Sequence, residues 1–416
     1  MMKSRIALAI ALGVSAAALS AVNPAVAAKK EAAPTIKLGD AVRKELAPAQ
    51  EAMKANDFAK AQTHVDAARA AATTEDEKYI VGQIQLNIGI VSQNNAKVCQ
   101  GVDEMLATSK TDAESKPKLA SQQGHCAYEA KNYAKAEQAY NNAIASGPVA
   151  DDVYARLADA QFRGGKTAEA VATLQKVINA QAAAGKSVPT DWYARGADMA
   201  SRAKAAPQFV DITSAWLTAY PVKQNWHDSL MIYRQLANPS GDADLDLLRL
   251  LRASGAMPLA AASAYSDYAI AVYLKYPNEA VSVLKEGIAA GKLNPTTSQN
   301  TREILAISEP KVAADRTAVK GALAASQGAK ATYQSVLSNA DLSYGFGDYK
   351  QAAELYALAG AKAGANADLV NLRAGASLIQ AGDKEGGKAA LAKVQGGTQK
   401  VLARYWTVLA DHPAAS

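Results

Sequence analysis

Tyr133, Ala136, Tyr140 and Ala143 stand three and four residues apart, with Lys, Glu, Gln and Asn filling the places between them. That spacing gathers the four onto one stripe of an α-helix. The stripe stops at Gly147-Pro148, where a proline ends the helical hydrogen-bond pattern. Similar stripes recur along the chain. Asn56-Asp57-Phe58-Ala59-Lys60-Ala61 reads as a turn into a helix that Val65 and Ala68 complete. Helical periodicity runs through 79–91 and again through 98–106, with Asn94-Asn95 as the break. At the far end Val401, Leu402, Tyr405, Trp406 and Leu409 form an amphipathic helix suited to covering the exposed end of a helical stack. No stretch alternates apolar and polar residues over six or more positions, so little or no sheet is expected.

The stripes repeat at a fixed period. With Pro117 as the first residue of a unit, Gly124, Ala136, Tyr140, Ala143 and Pro148 take a small, small, aromatic, small, proline pattern. A unit begun 34 residues later, at Asp151, gives Tyr154, Leu157, Ala158, Gly165, Ala170 and Leu174. Trp192 and Trp226 are again 34 apart, with Gly196 after the first, Tyr233 after the second, and Pro221 where a unit should end; Leu230 stands where a small residue is expected. Gly347-Asp348-Tyr349, Ala352, Tyr356 and Ala359 form one later unit, and Gly375, Gly382-Asp383, Leu391 and Val394 the next. Small residues let two helix backbones approach, and large ones fill the space beside them.

This pattern resembles the tetratricopeptide repeat (TPR) family, a helix-turn-helix of about 34 residues that stacks into a solenoid. The resemblance implies an all-α fold, a TPR-like right-handed α-solenoid of antiparallel helix pairs. The expected organisation is a signal peptide at 1–28, a flexible leader at 29–38, N-terminal repeats at 39–188, and degenerate TPR-like repeats at 189–295. An irregular helical connector at 296–332 and C-terminal repeats with a capping helix at 333–416 complete it. The middle is the weakest part. Asn278-Glu279-Ala280, Leu284 and Gly287 suggest one degenerate unit, and 296–327 is poor in aromatics and broken at Pro310. Either a continuous chain of helices or two repeat lobes joined by a non-repeat segment would fit; the continuous chain is the reading adopted.

The first residues carry a basic head, Lys3 and Arg5, an apolar run over 6–19, and Ala25-Val26-Ala27, the small residues of a cleavage site. Cleavage after Ala27 or Ala28 is expected, which places the mature chain in a periplasm or secreted, without a transmembrane anchor. The competing reading is an uncleaved anchor, but the run is short for a span of about 20 residues. The formal charge is +6, and Lys3 and Arg5 supply two of it. The remainder is spread among 39 acidic residues, unlike the clustered cations of a nucleic-acid surface.

Cys99 and Cys126 are the only cysteines. The midpoint between them falls near Asp112 and Ala113, inside a polar loop over 109–117. With helices on either side, the two thiols sit at similar heights on antiparallel neighbours, as a disulfide requires, and an exported compartment favours the bond. Closing that loop should stabilise by roughly 3 kcal/mol. The alternative is two small buried thiols in a seam between repeats. A redox-catalytic pair would need C-x-x-C spacing.

Chemistry-bearing motifs fail on their own requirements. Gly164-Gly165-Lys166-Thr167 has Ala160 where a phosphate loop needs glycine and follows a helix, not a strand, so it reads as the turn inside a repeat. Asp242, Asp244 and Asp246 begin like a calcium loop, but Leu247 and Ala253 occupy the required Gly and Glu positions. Asp242 reads instead as a helix N-cap. His64, His125, His227 and His412 have no metal-ligand spacing, and no G-x-S-x-G elbow occurs. No enzyme activity, cofactor or metal is expected.

In the TPR family the first helix of each pair lines the concave face. Carried over unit by unit, the resemblance implies partner-facing positions at Lys118, His125 and Tyr128, at Asp159, Phe162 and Arg163, at Tyr193, and at His227, Met231 and Arg234. Aromatic, cationic and soft apolar groups together suit a protein or peptide partner. The expectation is a non-catalytic scaffold or adaptor. An envelope protein or enzyme that engages polysaccharide or peptidoglycan is the alternative, and exposure of Trp192 and Trp226 would favour it.

Overall fold

The computed structural model describes residues 36–415; the expected signal segment at 1–28 and leader residues 29–35 lie outside them. Twenty-one α-helices follow one another in the described residues. The first ten are α1 (Asp40–Lys54), α2 (Phe58–Ala71), α3 (Glu75–Val91), α4 (Asn95–Leu106), α5 (Ser115–Glu129), α6 (Tyr133–Ser146), α7 (Asp152–Arg163), α8 (Thr167–Ala183), α9 (Thr190–Arg202) and α10 (Ala206–Ala219). Then come α11 (Lys223–Ala237), α12 (Asp242–Ala253), α13 (Ala262–Val272), α14 (Pro277–Ala289), α15 (Gln299–Ser308) and α16 (Val312–Gln327). The chain ends with α17 (Tyr333–Gly345), α18 (Tyr349–Gly360), α19 (Ala367–Gln380), α20 (Lys384–Leu391) and α21 (Gly397–Asp411). The fold is all-α, with consecutive helices packed in pairs. The one β-type contact among the described residues is an isolated parallel bridge between Val222 and Ala415.

One turn recurs and explains the pairing. At the end of the first helix a residue takes positive φ: Asn56, Gln93, Lys131, Gly165, Lys204, Gly347 and Gly382. The next residue donates its N–H back to a carbonyl five positions earlier, as Asp57 does to Ala52 at 2.9 Å, Asn132 to Ala127 at 2.9 Å and Asp383 to Leu378 at 2.9 Å. This closes the first helix by satisfying its last carbonyls. Asp57, Asn94, Asn132 and Asp383 then cap the second helix through their side chains. The same turn joins α1 to α2, α3 to α4, α5 to α6, α7 to α8, α9 to α10, α17 to α18 and α19 to α20. It is missing between α11 and α12 and between α13 and α14, where the chain uses Asn238 with Gly241 and Tyr276-Pro277 instead.

Within pairs the spacing is set by small residues. Gly82 on α3 faces Gly101 on α4, Gly89 faces the Lys97–Val98 backbone, and a Cβ added at Gly101 would lie 2.4 Å from the Leu86 nitrogen. The helices touch backbone to backbone there. In the next pair, a Cβ at Gly124 would stand 2.6 Å from the Tyr140 ring, so the small residue on α5 makes the seat for the aromatic on α6. Cys99 on α4 and Cys126 on α5 are disulfide-bonded, with Cα atoms 5.7 Å apart. The bond ties one pair to the next.

The C-terminal helices fold back onto the middle of the chain. Helices α17, α19 and α21 pack against α14, α12 and α10. A single apolar core accordingly runs from α7 through α14 and takes in Leu372, Leu391, Leu402, Tyr405 and Trp406. The final helix does more than cover the last pair: it packs on α19 and α20 and also reaches α10 and α12. The Tyr405 and Thr213 hydroxyls bond at 2.7 Å, Arg404 pairs with Asp211, and the Ala415 N–H donates to the Pro221 carbonyl at 2.6 Å.

A buried ion cluster sits in this junction. Arg249 on α12 forks onto Glu279 at 2.7 and 2.9 Å and donates to Asp341 at 2.8 Å. Arg373 on α19 donates to Asp246 at 2.8 Å, to Asp341 at 3.0 Å and to Asp242 at 2.7 Å. The hydroxyls of Tyr276 and Tyr356 also donate to Asp341, and that of Tyr268 to Glu279. Burial pushes the Asp246 carboxyl up. Burial also acts on Asp341, but Arg373 and Arg249 outweigh it and hold that carboxyl below its ordinary range. Asp242 is therefore not the helix cap expected from its sequence. Gly241 occupies the cap position, and the Asp242 carboxylate is turned to Arg373.

Candidate functional site

The residues singled out in sequence fall on the first helices of four successive pairs: α5, α7, α9 and α11. Three of these pairs share the recurring turn, so equivalent positions in them come to equivalent places along the stack.

On α5, Lys118 is exposed and pairs with Glu114 at 3.4 Å. His125 is half-buried, and its Nδ1 lies 3.4 Å from an Arg156 nitrogen on α7. Burial, then the charge of Arg156, lowers the His125 pKa. The ring is neutral at neutral pH and accepts from the guanidinium. Tyr128 meets Tyr133 edge to face with ring centres 5.5 Å apart.

On α7, Asp159 bonds Arg195 of α9 at 2.6 Å. Burial raises its pKa, and the charges of Arg195 and Arg163 pull it back. Phe162 is half-buried beneath the Arg202 guanidinium, 5.8 Å from the ring centre. Arg163 beside it is exposed. Cation, carboxylate and aromatic face thus stand together at the α7–α9 step.

Two expected positions are spent inside the fold. Tyr193 is 3% exposed and packs edge to face on Tyr220, so it offers no face to a partner. Arg234 is clamped by Asp244 at 2.6 and 2.7 Å and by Asp267 at 2.9 Å. Hydrogen bonding to Asp244 raises its pKa, and its guanidinium braces α11 against α12 and α13. His227 is half-buried and bonds Asp228 at 2.9 Å, while Met231 is half-buried near the core edge.

All four tryptophans are buried: Trp192 is 7% exposed, Trp216 9%, Trp226 0% and Trp406 1%. They fill the core and present no stacking platform for a sugar ring. No group of three or more His, Cys, Asp or Glu among the described residues is arranged to hold a metal ion. No helix among them is long and apolar enough to cross a membrane. The buried arginine cluster escaped sequence reasoning because Arg373 lies 127 residues from Asp246.

Comparison with known proteins identifies the unit at the centre of this face. Residues 152–181 match the family model described as Tetratricopeptide repeat. The match covers α7 and most of α8, so this one pair is similar to a tetratricopeptide repeat. No curated protein matches the sequence. Among solved structures, one of Naa15/Naa10 bound to HypK-THB is similar at 12% identity and TM-score 0.32, over 87% of this chain. This chain spans 65% of that one. The P58(IPK) TPR domain is similar at 13% identity and TM-score 0.22, over 88% of this chain and 98% of that one.

Proposed function

We propose that this chain is a non-catalytic scaffold of the cell envelope that holds a protein or peptide against its odd-numbered helices, from α5 to α11. One observation carries the reading. Helices α17, α19 and α21 dock on α14, α12 and α10 and reach α11 through Tyr405, which meets Trp226 and Tyr233, while Tyr128, Phe162 and Arg163 on α5 and α7 keep exposed or half-exposed side chains. Tyr128 and Phe162 supply apolar contact, Arg163 and Lys118 supply charge, and His125, whose Nδ1 faces Arg156, can donate from Nε2. Such a surface is preformed, so binding costs little ordering. Export to an oxidising compartment agrees with the Cys99–Cys126 bond and with the signal-like first residues. The polysaccharide reading loses its support, since Trp192 and Trp226 are inside.

Site-specific photo-crosslinking tests this. A crosslinker at Phe162 and another at Tyr128 should trap the same polypeptide from the exported fraction, and one at Glu169 on α8 should not. Arg163→Glu should weaken capture at least tenfold without changing the melting temperature. Retention of glycan with no polypeptide adduct at either position would reject the proposal.

A further inference from the structure

A cavity of about 580 Å³ lies between the first turns of α10 and the outer faces of α20 and α21, away from the α5–α7 face. Its volume falls within the range of ligand pockets, about 300–1,000 Å³. Val210, Leu391, Val394, Val401 and Ala403 make its wall. At the rim stand Lys388, Lys400 and Arg404 against one carboxylate, Asp211. Arg404 pairs with Asp211, and Lys388 reaches Glu385 at 2.7 Å and Asp411 at 2.9 Å. Lys400 is exposed and enters no ion pair among the described residues.

Wall and rim together select the occupant. A peptide brings a donor and an acceptor with every residue, and buried ones need partners. This wall has few to offer. Along α21 the backbone groups are bonded within the helix, the Thr407 hydroxyl already donates to the Ala403 carbonyl at 2.9 Å, and the free N–H groups nearby are those of the first turn of α10. An alkyl chain needs no such partners and gains from each methylene it buries. Asp211 answers Arg404, and Glu385 and Asp411 answer Lys388, so the charge left free at the rim is that of Lys400, which favours an anionic end. We propose that this cavity binds a single-chain aliphatic carboxylate, its tail among Val210, Leu391 and Val401 and its head at Lys400.

Titration calorimetry of the full chain with decanoate, below its micellar concentration, tests the assignment. Decanoate should bind one to one and more tightly than octanoate, while decyltrimethylammonium should bind at least tenfold more weakly. Lys400→Glu, a change at an exposed side chain, should weaken decanoate at least tenfold. Ala403→Phe should fill the cavity and abolish binding with an unchanged helical circular dichroism spectrum. If that variant fails to fold, Val401→Trp narrows the cavity from a half-exposed position and should give the same loss. Absence of saturable binding, equal affinity for the cationic analogue, or binding indifferent to a folded filling variant would overturn the proposal. So would tighter binding of a short aliphatic peptide than of decanoate.

Discussion

Glu77 is 5% exposed, yet it is a charged residue that the fold uses well. Its carboxylate accepts from the N–H groups of Thr73 at 2.8 Å, Thr74 at 2.9 Å and Gly39 at 3.0 Å, capping α3 and fastening the approach to α1. The Thr74 N–H first, then those of Thr73 and Gly39, hold the carboxyl at about 2, below its ordinary 4.5. A lowered carboxyl stabilises the fold above the unfolded value and loses that stabilisation as pH falls toward the folded one. Acid should therefore weaken the N-terminal helices between about pH 4.5 and 2. Melting curves of Glu77→Gln should start lower at pH 7 and lie flatter across that window than those of the parent. A parallel pH dependence in the two proteins would show that Glu77 does not contribute. At the same scale, Gly124 with Tyr140 was legible in sequence, because close packing of large on small follows from residue size alone. Tyr193 and Arg234 were misread for the opposite reason. Tyr220, Asp244 and Asp267, which occupy them, come from elements whose placement no spacing rule supplies.

Pairs of helices were the most readable level of this chain. The turn with positive φ appears in seven pairs and is followed by Asp or Asn in five of them, and its short polar sequences, such as Asn56-Asp57 and Gly382-Asp383, mark most of these. The turn changes between α11 and α12 and between α13 and α14, the stretch where the repeat pattern also fades. A helix pair joined by that turn depends on small residues at its crossing. Gly101→Ala puts a methyl against the Leu86 backbone, which cannot swing aside as a side chain would. Such overpacking should cost about 3 kcal/mol, read as a lowered denaturant midpoint at constant slope. A midpoint within experimental error of the parent would contradict the close crossing of α3 and α4. The Cys99–Cys126 bond between α4 and α5 should contribute about 3 kcal/mol by restricting the unfolded chain. Reduction should expose α3 to α6 to hydrogen exchange before α17 to α20; uniform acceleration across both would argue against a local tie.

Closure of the whole molecule was not legible. The contacts that make it join residues 92, 127, 131 and 192 positions apart, and each partner taken alone looks like an ordinary surface charge or helix residue. Asp242 fits a capping role until Arg373 is brought beside it. Replacing Arg373 by Met leaves Asp246 and Asp341 short of a buried partner, a loss of about 3–5 kcal/mol, and small-angle scattering should record a larger radius as α17 to α21 loosen from α10 to α14. An unchanged radius and stability would mean that the apolar contacts of Leu372, Tyr405 and Trp406 suffice. The proposed function builds on this inward docking, which commits α10, α12 and α14 to the chain itself, and assigns the α5–α11 layer to a guest. Hydrogen exchange of the full chain with and without its captured polypeptide tests that division most directly. The account predicts added protection on α5, α7, α9 and α11 and none on α12 or α14; protection confined to α10, α12 and α14 would contradict it.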